Sequence, residues 1–96
     1  MKSICNPVHP GEVLGNLFLE PSKMSAGALA KRLDVPRTRI ERIVKGNTAL
    51  TADTALRLSI VFGNTPEFWM NLQRAYDLAQ ARKVVDVSNI EPLAVV

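Results

Sequence analysis

The feature that most constrains this chain is a four-residue link, Leu33-Asp34-Val35-Pro36, between two short helical segments. Ser25 is a good N-cap for the first segment, which runs through Leu33 with Leu29, Ala30 and Leu33 facing inward. Pro36 opens the second, because a proline at the first helical position gives up no bonded N–H and its φ is already helical. That segment runs to about Lys45 and ends at Gly46, a residue suited to a left-handed cap. Helices joined so tightly must cross steeply, and the small Ala30 lets them approach.

The rest of the chain is punctuated as helix too. Pro10 starts a segment in which Val13, Leu14, Leu17 and Phe18 form an apolar stripe, with Pro21 as its expected stop. Thr51 caps a fourth helix, where Asp53 in the first turn complements the dipole. Ala55, Leu56, Ser59 and Phe62 recur at helical spacing there, and Gly63-Asn64 ends it. Thr65-Pro66-Glu67 then sets cap, proline and acid in succession, the strongest start signal in the chain. The fifth helix carries Phe68, Trp69, Leu72, Ala75, Tyr76 and Ala79 and reaches about Lys83. Beyond it, Val84-Val85-Asp86-Val87 alternates weakly, and Pro92 with Leu93 to Val96 continues an extended tail. The expectation is an all-α, compact five-helix domain over residues 1–83, followed by a tail, 84–96, with a role in dimerisation.

Ninety-six residues suit one domain, and 47% hydrophobic with 22% charged residues is the balance of a soluble globular protein. The longest apolar run is four residues, against about 20 for a membrane span. The start has no apolar leader region, and a single cysteine, Cys5, excludes an internal disulfide and points to a reducing, cytoplasmic setting. Cys5, His9 and Glu12 do not make a closed metal site, and His9 beside Pro10 reads instead as a helix cap. With one histidine, scattered carboxylates and no glycine-rich phosphate loop, neither catalysis nor a cofactor is expected.

The net charge of +3 is unevenly placed. Lys31, Arg32, Arg37, Arg39, Arg42 and Lys45 are opposed locally only by Asp34 and Glu41, so that stretch is +4 and the remainder −1. Concentrated positive charge suits a polyanion, although a solvated helix face is the plainer alternative. At 100° per residue, Pro36, Ile40, Ile43 and Val44 fall on one side of the third helix. Thr38, Arg42 and Lys45 lie opposite, with Arg37 and Arg39 on the flanks. A helix anchored by isoleucines with arginines and a threonine outward can enter a major groove of double-stranded DNA. Arginine there reads guanine O6 and N7, and the threonine methyl meets thymine. Arg37, Thr38, Arg39 and Arg42 are the candidate base readers. Arg39 can instead turn to a phosphate or pair with Glu41, and Arg32 can pair with Asp34 or Glu12. Ser25, Ala26, Lys31, Lys45, Asn47 and Thr48 are the candidate phosphate contacts. Phe68, Trp69 and Tyr76 read as core more than as a base-stacking platform.

Several segments together resemble the HigA (VapI-like) antitoxins of the Xre/Cro-type helix-turn-helix family, whose fold is lambda-repressor-like. They are His9-Pro-Gly-Glu-Val-Leu14, Leu29-Ala-Lys-Arg-Leu33 and Val35-Pro-Arg-Thr-Arg-Ile-Glu-Arg-Ile-Val-Lys-Gly46. Thr51-Ala-Asp-Thr-Ala-Leu-Arg-Leu58, Phe62-Gly63 and Pro66-Glu-Phe-Trp-Met-Asn-Leu-Gln73 continue them. The resemblance implies a bacterial, nucleoid-associated dimer that binds a palindromic operator and represses its own operon. It further implies that the dimer neutralises a small ribonuclease toxin of the HigB type. Two places depart from the family pattern: Ala26 stands where glutamine is frequent, and Asn47 and Thr48 where basic residues are frequent.

These departures keep a second reading open, a module that chiefly binds a partner protein, and a stand-alone repressor without a toxin is a third. A symmetric dimer is expected on physical grounds as well. One helix-turn-helix covers too little DNA for tight, specific binding, and two half-sites solve that. The fifth helix and Val84, Val85 and Val87, pairing strand to strand, are the expected seam.

Overall fold

The computed structural model describes residues 7–94, and in them five helices follow one another with no strand. Helix α1 covers 10–22. It is α-helical over Pro10–Val13, widens to π-helix over Leu14–Leu19 and returns to α over Glu20–Ser22. Helix α2 is Ala26–Leu33, α3 Arg37–Val44, α4 Ala52–Phe62 and α5 Pro66–Val84. None of them is long and apolar enough to cross a membrane. Cys5 and the last two residues of the tail lie outside the described residues.

The helix starts follow capping chemistry. Ser25, Thr51 and Thr65 each accept with a side-chain oxygen from a backbone N–H three residues on, of Ala28, Thr54 and Phe68. His9 caps α1 as expected, its Nδ1 accepting from the Gly11 N–H at 2.9 Å. At the other ends, Gly46 (φ 79°) and Gly63 (φ 68°) take the left-handed conformation their positions suggest.

Four local expectations are corrected. Pro21 does not stop α1, which continues to Ser22 before Lys23 turns left-handed at φ 53°. The π-turn just upstream moves the ladder from i−4 to i−5 bonds, with Glu20 N–H donating to the Gly15 carbonyl. The helix thus absorbs a residue that has no N–H to give. Leu17 and Leu56 stand 66% and 57% exposed, so neither stripe faces the core with every member. In α1 the buried residues are Pro10 and Gly11 in its first turn, then Leu14 and Leu19, because the wider turn rotates the later residues. Pro36 is exposed and serves as the N-cap of α3, not as part of its buried side.

One core unites all five helices: Leu14 and Leu19, Leu29, Ala30 and Leu33, Ile40 and Ile43, Leu50, Ala55 and Leu58, and Trp69. Trp69 is fully buried, ringed by Phe18, Phe62 and Phe68, and its Nε1 donates to Asn64 Oδ1 at 2.9 Å. It therefore belongs to the core, as expected. Tyr76 packs edge-on against His9 at 5.0 Å between ring centroids.

Two contacts fix where α3 sits. A side chain at Gly11 would place its Cβ 1.7 Å from the Ile43 carbonyl oxygen, so α1 lies with its backbone directly against the end of α3. Gln73, 5% exposed in the middle of α5, accepts from the Leu50 N–H at 2.7 Å and donates to Asp77 Oδ1 at 2.8 Å. It anchors the loop between α3 and α4, and the apolar pattern of α5 concealed it.

The tail leaves the body. Val84, Val85, Val87, Ile90 and Leu93 are 56–91% exposed, and the radius of gyration of 16.4 Å exceeds the roughly 12–13 Å of a compact chain this size. Within the described tail, Asp86 accepts from the N–H and hydroxyl of Ser88.

Gly11→Ala is expected to destabilise by about 1–3 kcal/mol or more, since backbone must move to admit the methyl group. Gln73→Leu, which strands the Leu50 N–H, is expected to cost about 1–3 kcal/mol. Both are read from urea unfolding midpoints, and an unchanged midpoint contradicts the contact concerned.

Candidate nucleic-acid interface

The interface is built on the crossing of α2 and α3. Asp34 occupies the left-handed region (φ 59°), which an aspartate tolerates better than most residues. Its N–H and that of Val35 close back on the last turn of α2, bonding the carbonyls of Ala30 and Lys31. From α4, Arg57 Nη1 donates to the Leu33 carbonyl at 2.8 Å. A guanidinium thus satisfies the helix end and pins the turn to the next helix.

On α3, Ile40 and Ile43 are 0% and 1% exposed, while Arg37, Thr38, Arg39 and Arg42 are all exposed, so the expected division of the helix into two faces holds. The four candidate readers do not share one environment. Arg37 Nε lies 3.4 Å from Glu41 Oε2, and its stem passes beside Gly27, 3.0 Å from where a Cβ there would sit. Arg39 does not pair with Glu41. Its Nη1 crosses to Asp53 Oδ1 in the first turn of α4 at 3.0 Å. Thr38, Arg39 and Arg42 line an open cleft of about 440 Å³ with Thr48, Thr51 and Asp53.

The phosphate candidates fall on two segments, α2 with its cap and the loop after α3. Ser25 and Ala26 begin α2, whose first amides are free of intrahelical partners, as at any helix start. Ala26 turns partly toward the core. Lys31 is exposed on α2, and Lys45, Asn47 and Thr48 are exposed on the loop after α3.

Sequence reasoning gave Asp53 a helix-dipole role only and missed Arg57. The carboxylate of Asp53 bonds Arg57 Nε at 2.8 Å as well as Arg39. Its pKa lies below the ordinary 3.8, chiefly through the hydrogen bond from Arg57; desolvation opposes this, and Arg57's charge and, to a lesser degree, Arg39 add to the lowering. The four-residue spacing of Asp53 and Arg57 was the available signal. Among the described residues, no group of three or more His, Cys, Asp or Glu side chains is placed to hold a metal ion.

Comparison with known proteins agrees with this geometry. Residues 17–69 match the helix-turn-helix family model. Virulence-associated protein I of Dichelobacter nodosus is 47% identical over 83 residues, which are 86% of this chain and 77% of that protein. Antitoxin HigA-1 of Vibrio cholerae is 43% identical over 76 residues, 79% of this chain and 71% of that one. The structure of the Pseudomonas aeruginosa antitoxin HigA with the higBA promoter superposes with a TM-score of 0.84 at 39% identity, covering 93% of this chain and all of that one. The short crossing of α2 and α3, the polar face of α3 and the two helices that follow place this chain in the helix-turn-helix family, among the HigA antitoxins.

Proposed function

We propose that the protein is a sequence-specific DNA-binding repressor, the antitoxin of a HigB-type ribonuclease toxin, and that it controls its own operon as a dimer. The observation that carries this reading is α3 itself: eight residues backed by two buried isoleucines, with cationic and hydroxyl side chains all on the open side. Thr38 and Arg42, within the cleft, approach base edges, and Arg37 flanks them. The amides that open α2 and the exposed Lys31, Lys45, Asn47 and Thr48 hold the phosphates on either side. The promoter complex of the Pseudomonas aeruginosa relative supports DNA as the target, and the naming of the Vibrio cholerae relative supports a toxin partner. The protein acts by binding and not by catalysis, in the cytoplasm where its operator lies.

The dimer brings two copies of α3 to successive turns of the duplex. We assign its seam to the end of α5 and the exposed valines after it. In sedimentation at micromolar concentration the full chain is expected at twice its 10.5 kDa mass, and a chain ending at residue 84 as a monomer. A truncated chain that still dimerises contradicts the role given to the tail.

Titration against a duplex from the region upstream of the gene, with a random duplex as competitor, tests DNA recognition. Arg42→Ala is expected to cost about 1–3 kcal/mol on the upstream duplex and to relax sequence preference. An unchanged preference contradicts base reading by α3.

A further inference from the structure

We infer that Asp53 is a positioning residue that withholds Arg39 from DNA, so that α3 reads sequence without an extra, sequence-blind cation. The inference rests on the repressor reading above and assigns a use to a carboxylate that DNA binding alone does not explain. An acid at the rim of a surface that meets phosphates is electrostatically unfavourable unless it acts on something.

The geometry identifies that something. Arg39 lies on the flank of α3, and its guanidinium spans fourteen residues of sequence to reach Asp53 Oδ1 at 3.0 Å. Asp53 is held from behind by Arg57 Nε at 2.8 Å, and Arg57 Nη1 is bonded to the Leu33 carbonyl at 2.8 Å. A continuous path thus runs from the α2–α3 turn through Arg57 and Asp53 to Arg39. The clamp shares its cleft with Thr38 and Arg42, the two central reader candidates; on the repressor reading, a released Arg39 there is free to turn to a phosphate. Arg39 and Asp53 keep 40% and 56% of their side-chain surface exposed. A pair so exposed is a weak bond, and removing one charge is enough to release the other. Sequence-independent affinity follows the count of free cations at the backbone, whereas preference follows contacts to base edges. Neutralising Arg39 therefore lowers the first and spares the second.

The test uses the full chain, the upstream duplex and a random duplex across a salt series. Asp53→Asn is expected to raise affinity for the random duplex about three- to tenfold, with a smaller gain on the upstream duplex, and to steepen the log–log salt dependence by about 2, about 1 for each protomer of the dimer. Arg39→Ala alone is expected to leave the upstream affinity within about twofold and the slope unchanged, since a clamped side chain makes no DNA contact. In Asp53→Asn, Arg39→Ala abolishes the gain. A fall of about tenfold or more for Arg39→Ala alone, or an unchanged slope for Asp53→Asn, overturns the inference. Circular dichroism melts confirm that each variant is folded.

A second arm needs no DNA. The Asp53 carboxyl, followed by carbon NMR through an acid titration, is expected to move up toward the ordinary aspartate range in Arg39→Ala. A titration indifferent to Arg39 contradicts the clamp alone. A wild-type chain with no preference for the upstream duplex contradicts the repressor reading, and with it the use assigned to the clamp.

Discussion

An eight-residue helix does not hold its shape alone in water, and α3 has eight residues. Everything the protein presents to a partner on that helix depends on how the rest of the fold keeps it helical and aimed. Ile40 and Ile43 supply the apolar anchor. The close backbone approach at Gly11 sets the position of its C-terminal end, and Gln73 ties down the loop that leaves it. Arg57 secures the turn before it. Three other helices, α1, α4 and α5, therefore converge on this one short helix, and its solvent face carries none of the holding contacts except those of Arg37 and Arg39 with acids. That division separates the residues that hold the helix from those it shows to solvent.

The balance of forces on the outer face is electrostatic and soft. Exposed ion pairs contribute little net stability, so neither Arg37–Glu41 nor Arg39–Asp53 stabilises the fold to a degree that matters. What they do is set which cations are free. On a surface that meets a polyanion this is a large effect, because each phosphate contact adds to the salt dependence and to sequence-blind affinity. The same acid that complements the α4 dipole therefore also filters the charge shown by α3.

Much of this was legible in the sequence, for reasons that differ by residue. Ser25, Thr51 and Thr65 announced helix starts because capping is chemistry local to a few residues, and Gly46 and Gly63 announced ends because left-handed backbone favours glycine. The two faces of α3 followed from the spacing of Ile40 and Ile43. Pro21 misled because its penalty assumes a regular α ladder, and the π-turn upstream removes that assumption. Leu17 and Leu56 misled because a stripe four residues wide does not say which of its members reaches the core. Gln73 and Arg57 were hidden for another reason. Their partners lie 23 and 24 residues away, and no local pattern records a bond that only the tertiary fold creates. Arg39 falls between these cases, since the wheel placed it on the flank but could not show that Asp53 waits across the cleft.

On the proposed reading, α3 reads bases from the major groove, twice per dimer. Dimethyl sulfate protection of guanine N7 on the bound upstream duplex addresses it most directly, since that atom lies on the major-groove edge. Two protected clusters related by symmetry are expected, their centres about one helical turn of 10–10.5 base pairs, or a multiple of it, apart. Uniform reactivity, or protection confined to minor-groove positions, would contradict it.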